Sequence, residues 1–495
     1  MKLLSIFAIT CLGTLAYSNT FFSTFHFDDL YLIVKNPCVR DLQNLPHIWN
    51  WWPCRFLTFL SFAINYHFHQ LNVWGYHLFN LTVHLCASLL VCWLVNLTFA
   101  TPVMKEDSRS RHSKLIALFA GLVFVSHPIQ TQAVTFIWQR GASMASMFYL
   151  ASLCFYIRSR LSPQAAGLRR SGYYILSILT ALMAMFTKEN AITLPLMVLL
   201  YEFSFFNTKK IFNCKPLIPF FLIFFIIPVI WLLTASEKFQ AGHSYVATIS
   251  STQYFLTESR VMLAYIRLVF LPLHQNLDYD FSLSKSIFEG PVLFSFAFLA
   301  LVFYFALRLF SKYRLISFSI FWFFLALLPE SSFFPFADVI VEHRLYLPMV
   351  GFSMFLAGGM YYLMDKDNFR VMLLALLMII ACNSVLTYQR NKVWKDDLTL
   401  WVDTVRGSPD KARPLNNLGE VYLDMGHFTQ ALIYLNKALE IDPGYANAYY
   451  NRGLVYYYLN DFKKAREDER EARKLGYVVR SKIINDLNIA FAGEK

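Results

Sequence analysis

Charge is what this sequence has least of. Only 15% of its 495 residues are Asp, Glu, Lys or Arg, while 57% are apolar and 18% aromatic. In soluble domains charged residues make up roughly 25%. The shortage excludes a chain of two or three ordinary soluble domains, the default for this length. Cysteine is also sparse. The eight Cys fall mostly inside apolar runs and show no metal-type spacing, so no metal site is expected. Only Cys38 and Cys54 share a polar-flanked stretch, where a disulfide in an oxidising compartment and two unrelated thiols are both open.

The scarcity of charge is local. From Lys392 to Lys495 there are 16 basic and 15 acidic residues in 104 positions, whereas the preceding 391 hold 28 and 17. Charge is thus more than twice as dense in the tail as in the body, which places a domain boundary near Arg390. The net charge of +12 comes almost wholly from the body. In such a chain surplus Lys and Arg mark cytoplasmic loops and do not indicate nucleic acid.

What is present is a series of apolar runs long enough for a hydrocarbon core of ~30 Å. Met1-Lys2-Leu3-Leu4 and the apolar stretch to about Phe22 read as a signal peptide or an uncleaved first helix. Further spans are expected near 76–99, 115–131, 141–157, 172–187, 190–206, 216–235, 291–307, 315–329, 345–363 and 370–388, about eleven in all. Lys2, Lys105, Arg109, Arg111, Lys114, Arg158, Arg160, Arg169, Arg170, Lys209, Lys210, Lys215, Arg308, Lys312, Arg314, Lys366 and Arg370 occupy alternate short loops. The positive-inside bias puts these loops in the cytoplasm, and puts the first large loop (23–73) and the tail on the far side. Residues 253–272 carry Glu258, Arg260 and Arg267 in an otherwise apolar helix. A full span there would break the alternation, so this stretch is expected to be in-plane or re-entrant.

The tail is periodic. Leu418-Gly419, Tyr422, Ala431, Ala438 and Pro443 are followed by Gly453, Tyr456, Ala465 and Ala472. These are the small and aromatic positions of a tetratricopeptide (TPR) repeat, whose period is about 34 residues. Two repeats (412–445 and 446–479), a preceding half-repeat (392–411) around Trp401 and a closing helix to about residue 491 are expected. The fold class is therefore all-α: a polytopic membrane helix bundle over 1–390 with a TPR α-solenoid over 391–495.

Chemistry concentrates on one side. The first far-side loop opens on Phe25-His26-Phe27-Asp28-Asp29. Adjacent carboxylates raise at least one pKa, which suits a general base near neutral pH. An acidic pair capping the next helix through backbone amides explains the dipeptide equally well. Trp49, Trp51 and Trp52 read as an interfacial belt, or as a docking segment for a lipid-linked substrate. The other far-side loops bring His127-Pro128, Gln139-Arg140, Lys188-Glu189-Asn190, Asp278-Tyr279-Asp280 and Glu342-His343-Arg344-Leu345-Tyr346. Arg140, Lys188 and Arg344 could hold a phosphate. For any one of them a buried ion pair, such as Arg344 with Glu342 or Lys188 with Glu189, is as good a reading. Chance would scatter these groups over both faces, and they do not scatter.

Phe27-Asp28-Asp29 resembles the acidic motif of GT-C fold glycosyltransferases. Arg55-Phe56-Leu57-Thr58, Tyr76-His77-Leu78-Phe79-Asn80, His127-Pro128 through Arg140, Thr187-Lys188-Glu189-Asn190 and Glu342-His343-Arg344-Leu345-Tyr346 continue the likeness in order. With a repeat tail on the same side, the chain resembles the transmembrane-and-TPR-containing (TMTC-like) O-mannosyltransferases over nearly its whole length. The short tail departs from the long arrays of animal members and points to a bacterial relative.

The resemblance implies transfer of a monosaccharide, mannose-like, from a polyprenyl-phosphate sugar to a hydroxyl of a protein or glycan, with inversion. It implies Asp28 or Asp29 as base and Arg140, Lys188 and Arg344 around the donor phosphate. Arg55, His127, Glu189, Glu342, His343 and Tyr346 are further site candidates. No cofactor is implied; the lipid-linked sugar is a substrate. The active face and tail would be periplasmic in a bacterium and lumenal in a eukaryote, with membrane lipid and a TPR-bound protein as further partners. A non-enzymatic, membrane-anchored TPR scaffold is the competing reading, and it would not need acids and bases gathered at one interface. A transporter would need charged or broken helices at the midplane and symmetric halves, which the sequence does not offer.

Overall fold

The apolar runs fold as helices, and there is no strand among the described residues, which in this computed structural model are 3–105, 112–163, 167–206, 215–234, 249–363 and 368–478. The chain forms two compact units. One comprises Met1–Leu273 and Ser282–Lys392; the other comprises Val393–Lys495 together with the short segment His274–Phe281.

The first unit begins with α1 (Leu3–Ala16), α2 (Leu45–Trp51), α3 (Phe56–His69) and α4 (Val73–Thr98). Then come α5 (Pro102–Lys105), α6 (Ser113–Ser126), α7 (Thr131–Val134), α8 (Arg140–Leu161) and α9 (Gly167–Met185). It continues with α10 (Leu194–Tyr201), α11 (Ile218–Phe224), α12 (Ile226–Thr234) and α13 (Ser251–Phe270). It ends with α14 (Gly290–Leu309), α15 (Arg314–Leu327), α16 (Pro348–Leu363) and α17 (Phe369–Asn391).

Four of these stretches are long and apolar enough to cross a membrane: α4, Lys215–Leu233 (α11 with α12), α14 and Phe369–Trp394. The pair α6–α7, bent by 51°, makes a fifth. The bend has a local cause. Pro128 has no N–H to give the helix and drives His127 into an extended conformation (ψ 126). Of the other expected spans, those in α8 (22 residues) and α9 (19 residues) are long but fall short in hydropathy or carry too much charge, and the rest are shorter or segmented. The run 190–206 is built from a tight turn at Glu189–Thr193, the short helix α10 and a wide turn at Glu202–Phe206.

Helix α13 occupies the stretch read as in-plane or re-entrant. It starts on a reciprocal cap between Ser250 and Gln253 and buries Glu258 to 2% exposure. Small residues set how closely the helices approach. A Cβ on Gly351 would meet the Ser319 carbonyl at 2.7 Å, so α16 lies against the α15 backbone only because no side chain is there.

The second unit contains α18 (Asp397–Gly407), α19 (Ala412–Asp424), α20 (Phe428–Ile441), α21 (Ala446–Tyr458) and α22 (Phe462–Lys474). The repeat period produces antiparallel pairs whose core is Leu415, Leu423, Ala431, Leu435, Ala438, Leu439, Ala448 and Val455. Gly419 is small for a reason: a Cβ there would stand 2.7 Å from Leu435 Cγ. Gly426 turns the chain between α19 and α20 with φ +76, a conformation that glycine adopts without strain.

The sequence reading placed Asp278-Tyr279-Asp280 with the polar groups of the membrane body. Segment 274–281 instead packs into the tail unit. Asp278 accepts from Lys411 Nζ at 2.6 Å and from Arg413 Nε and Nη2, both at 2.6 Å. Asn276 Nδ2 donates to Ser408 Oγ at 2.8 Å, and Asp280 N donates to the same oxygen at 2.9 Å. The expected closing helix, from 479 to about 491, lies outside the described residues. So do the cytoplasmic-loop candidates Lys2, Arg109, Arg111, Lys209, Lys210 and Lys366.

Candidate functional site

The acidic pair sits where the backbone is forced. Phe27 has φ +45, in the left-handed region that a bulky side chain disfavours. This turn lets Asp29 N donate to the His26 carbonyl at 2.8 Å and aims the Asp29 carboxylate back at the chain. Asp29 Oδ2 accepts from His26 N at 3.0 Å and Oδ1 from Trp138 N at 2.7 Å. Asp29 is fully buried, whereas Asp28 is half-buried. Burial pushes the Asp29 carboxyl up to about 7, against the pull of the two amides and with help from Asp28. The pair is thus unequal: Asp29 fastens the first loop to the turn before α8, and Asp28 is half-buried beside it.

Trp138, which the sequence reading did not single out, links this turn to the next group of charges. Its backbone holds Asp29, and its ring lies 5.6 Å from the Arg55 guanidinium. Arg55 Nε bonds both oxygens of Glu189 at 3.1 Å and stacks on Trp52 at 4.1 Å, while Trp52 Nε1 donates to Glu189 Oε1 at 3.0 Å.

Lys188 and Arg344 do find carboxylates, but not their chain neighbours. Lys188 Nζ lies 3.0 Å from Glu330 Oε1, and Arg344 Nη1 lies 3.8 Å from Glu258 Oε1. Arg344 also donates to the Val339 carbonyl at 3.0 Å and the Asp338 carbonyl at 2.8 Å. His343 is tethered through its backbone N–H to Gln132 Oε1 at 2.6 Å.

These residues share one electrostatic environment. Burial pushes the Lys188 ammonium down, Arg55 pushes it further, and Glu330 and Glu189 pull it back. For Glu330, burial acts upward but Lys188, Arg344 and Arg55 outweigh it, leaving the carboxyl below its ordinary range. His343 is driven well below its ordinary value by burial and by the same three cations. Glu258 and Glu330 were not among the candidate ligands. Glu258 had a signal, as an acid in an apolar helix; Glu330, one residue past an expected span, had none.

Three candidates are held in internal networks, Arg140 close enough to Asp29 to feel its charge. Arg140 is fully buried and donates to Asn80 Oδ1 (2.6 Å), Ser61 Oγ (3.2 Å), the Ser61 carbonyl (3.3 Å) and the Tyr76 carbonyl (3.1 Å). The rings of Phe62 and Phe79 lie 4.4 and 4.3 Å from its guanidinium. His127 uses both ring nitrogens internally, Nε2 with the Val269 carbonyl at 3.0 Å and Nδ1 accepting from Ile129 N at 3.3 Å. Tyr346 bonds His84 Nδ1 at 2.8 Å. All three brace helix packing. Glu342 is buried in the 342–345 turn. Cys38 and Cys54 are separate buried thiols.

An apolar groove of about 390 Å³ runs between α13, α14, α15 and α16. Ile266, Phe270, Val302, Phe323, Phe352 and Phe355 are among its walls. Helix α13 thus carries Glu258 in the charged cluster and, two turns on, the wall of this groove.

Comparison with known proteins places the chain among relatives. The TPR repeat family matches residues 419–460. The human protein O-mannosyl-transferase TMTC3 is 26% identical over 96% of this chain and 55% of its own length. Drosophila melanogaster Tmtc3 is 26% identical over 96% and 59%, and a Caenorhabditis elegans protein O-mannosyl-transferase is 24% identical over 89% and 63%. The chain spans little more than half the length of the first two of these relatives. Crystal structures of ArnT from Cupriavidus metallidurans, with undecaprenyl phosphate and without ligand, align over 93% and 92% of this chain and 78% and 76% of theirs, at 13% identity and a TM-score of 0.42. The chain is homologous to the TMTC O-mannosyl-transferases across its membrane unit and into its repeat tail.

Proposed function

We propose that the chain is a membrane glycosyltransferase that moves a monosaccharide, mannose or a close relative, from a polyprenyl-phosphate donor to a protein Ser or Thr hydroxyl, with inversion, at the extracytoplasmic face. The observation that carries this reading is the meeting of Arg55, Lys188 and Arg344 in one buried cluster, joined through Trp138 to the Asp28–Asp29 turn. The homology to O-mannosyl-transferases supports it.

Asp28 takes the proton of the acceptor hydroxyl. The acceptor oxygen attacks the anomeric carbon, the bond from that carbon to the phosphate oxygen breaks, and polyprenyl phosphate leaves with the electron pair. Asp29 is the positioning residue, since both its oxygens already hold backbone amides. Arg55, Lys188 and Arg344 neutralise the charge that develops on the phosphate, in surroundings with little water to screen it. Arg140 is assigned a bracing role in place of the phosphate role expected of it. The lipid chain lies in the groove between α13 and α16, which offers it almost nothing but hydrocarbon.

Sidedness has two supports. The positive-inside bias is one. The other is that segment 274–281 and the tail fold as one unit although α14 to α17 separate them in sequence, which requires an even number of crossings between them.

The test is the purified full chain in proteoliposomes with radiolabelled polyprenyl-phosphate mannose and acceptor protein. Asp28→Asn is expected to lower transfer by about 10²–10⁴-fold. Full transfer by an Asp28→Asn, Asp29→Asn double variant would end the assignment.

A further inference from the structure

The buried charges around Lys188 and Arg344 are incompletely satisfied in a specific way. Neither oxygen of Glu258 has a hydrogen-bond partner of ordinary geometry, although the Ser331 and Tyr254 hydroxyls lie close enough to act on it, and the same holds for Glu330 Oε2, Ser331 Oγ, His343 Nδ1 and Lys188 Nζ. Glu258, Glu330 and Ser331 are 2, 9 and 8% exposed, so bulk water does not cover them. A buried polar atom left unpaired costs on the order of 1–3 kcal/mol, and native interiors hold few of them. Here six converge from four segments: α13, the turn after α15, the Lys188–Glu189 turn and the 342–345 turn.

The chemistry of the unpaired atoms says what is missing. Carboxylate oxygens accept, whereas the Ser331 hydroxyl and the Lys188 ammonium also donate, so the absent group must donate as well as accept. A phosphate offers no donors at neutral pH, and an isoprenoid offers none at all. A metal ion is disfavoured by the three cations that already face these carboxylates. A carbohydrate, with several O–H groups on a compact ring, supplies what the site lacks.

We infer that Glu258, Glu330, Ser331 and His343 form the subsite for the donor's sugar ring, holding it through its hydroxyl hydrogens beside the cations that take its phosphate. The inference rests on the transfer reading above and deepens it. It divides the cluster by function: the cations read the lipid phosphate, and the acceptors read the sugar.

The experiment compares two probes on the full chain in detergent: polyprenyl phosphate, and the same lipid carrying one mannose. Glu258→Gln and Glu330→Gln preserve shape and remove charge. Each is expected to weaken the mannose-bearing lipid about tenfold or more, the loss of a charge-assisted hydrogen bond or two. Binding of bare polyprenyl phosphate should hold or tighten. Equal weakening of both lipids would overturn the inference, because the carboxylates would then serve only to brace Lys188 and Arg344. No change with either lipid would overturn it too. Should these variants fail to fold, the unaltered protein decides: mannose lipids lacking single hydroxyls must bind more weakly than the parent, and equal binding across that series refutes the subsite. If the unaltered protein binds neither lipid, the transfer reading itself falls.

Discussion

Two buried ion-pair sites in the body look alike by composition and differ in how completely they are closed. At the end of α8, Arg160 grips Glu202 through Nε and Nη2 (2.6 and 3.2 Å), and Tyr156 donates to the same carboxylate at 2.8 Å. Both carboxylate oxygens there are spoken for. Around Lys188 and Arg344 the ion pairs reach 3.0 and 3.8 Å, and three carboxylate oxygens remain without hydrogen bonds. A site that is complete by itself needs no ligand to satisfy it; the incomplete one is where the proposed donor subsite lies. Burial and charge alone do not separate the two, whereas hydrogen-bond accounting does.

The sharpest way to break this comparison is to neutralise one cation from each site. Lys188→Met should lower sugar transfer by about 10²–10³-fold, as expected for one group stabilising a leaving phosphate. It should also cost stability, because Glu330 loses its ion pair with Lys188 while Arg344 and Arg55 stay paired with Glu258 and Glu189, so the loss of transfer is the readout that sets this site apart. Arg160→Met should cost about 3–5 kcal/mol of stability, because the buried Glu202 keeps only Tyr156, with transfer and the donor KM unchanged. Thermal unfolding and initial rates on the same preparations check both. The same phenotype from both variants would erase the distinction.

Asp29 sharpens the comparison, being a buried carboxylate closed by amides instead of cations. Its carboxyl is pushed up to about 7, while in the unfolded chain an Asp titrates near ~3.9. Between those values the folded protein binds a proton that the unfolded chain has released. Stability at this group therefore falls as pH rises from about 4 to about 7, by at most on the order of 4 kcal/mol. Asp29→Asn should flatten that slope in a series of melting curves. Asp28→Asn should shrink it only slightly, since Asp28 is the smallest contribution to the Asp29 shift.

The smallest effect belongs to the tail, whose network at Asp278 is closed by Lys411 and Arg413. A Cβ on Gly407 would stand 2.6 Å from Asn276 Nδ2. Gly407→Ala should cost roughly 1–3 kcal/mol by overpacking this joint, read as earlier proteolysis of the tail with body helices intact.

Much of the fold was legible in advance, because period and hydropathy are properties of consecutive residues. The repeat period in the tail foretold the α19–α20 and α21–α22 pairs, and the apolar runs foretold α4, α8, α14, α16 and α17. The candidate site was legible only in part. Asp28, Arg55, Lys188, Glu189, His343 and Arg344 occupy the acidic turn and the cluster, while Arg140, His127 and Tyr346 brace the packing. Side chains of these types occur in both settings, and only the acceptors packed around them decide which.

What the sequence determined alone was the uneven placement of charge along the chain, the division into body and tail, and the order of the motifs, since each follows from composition along the chain. Which charge meets which was decided by tertiary structure. Lys188 is extended (φ −157, ψ 145), so its side chain and that of Glu189 point to opposite sides; one meets Glu330 and the other meets Arg55. Glu342 and Arg344 sit two apart in a tight turn of about three residues per revolution, which also directs them away from each other. Neighbours in sequence were turned apart by local backbone geometry, and the partners they found lie across helices that only folding brings together.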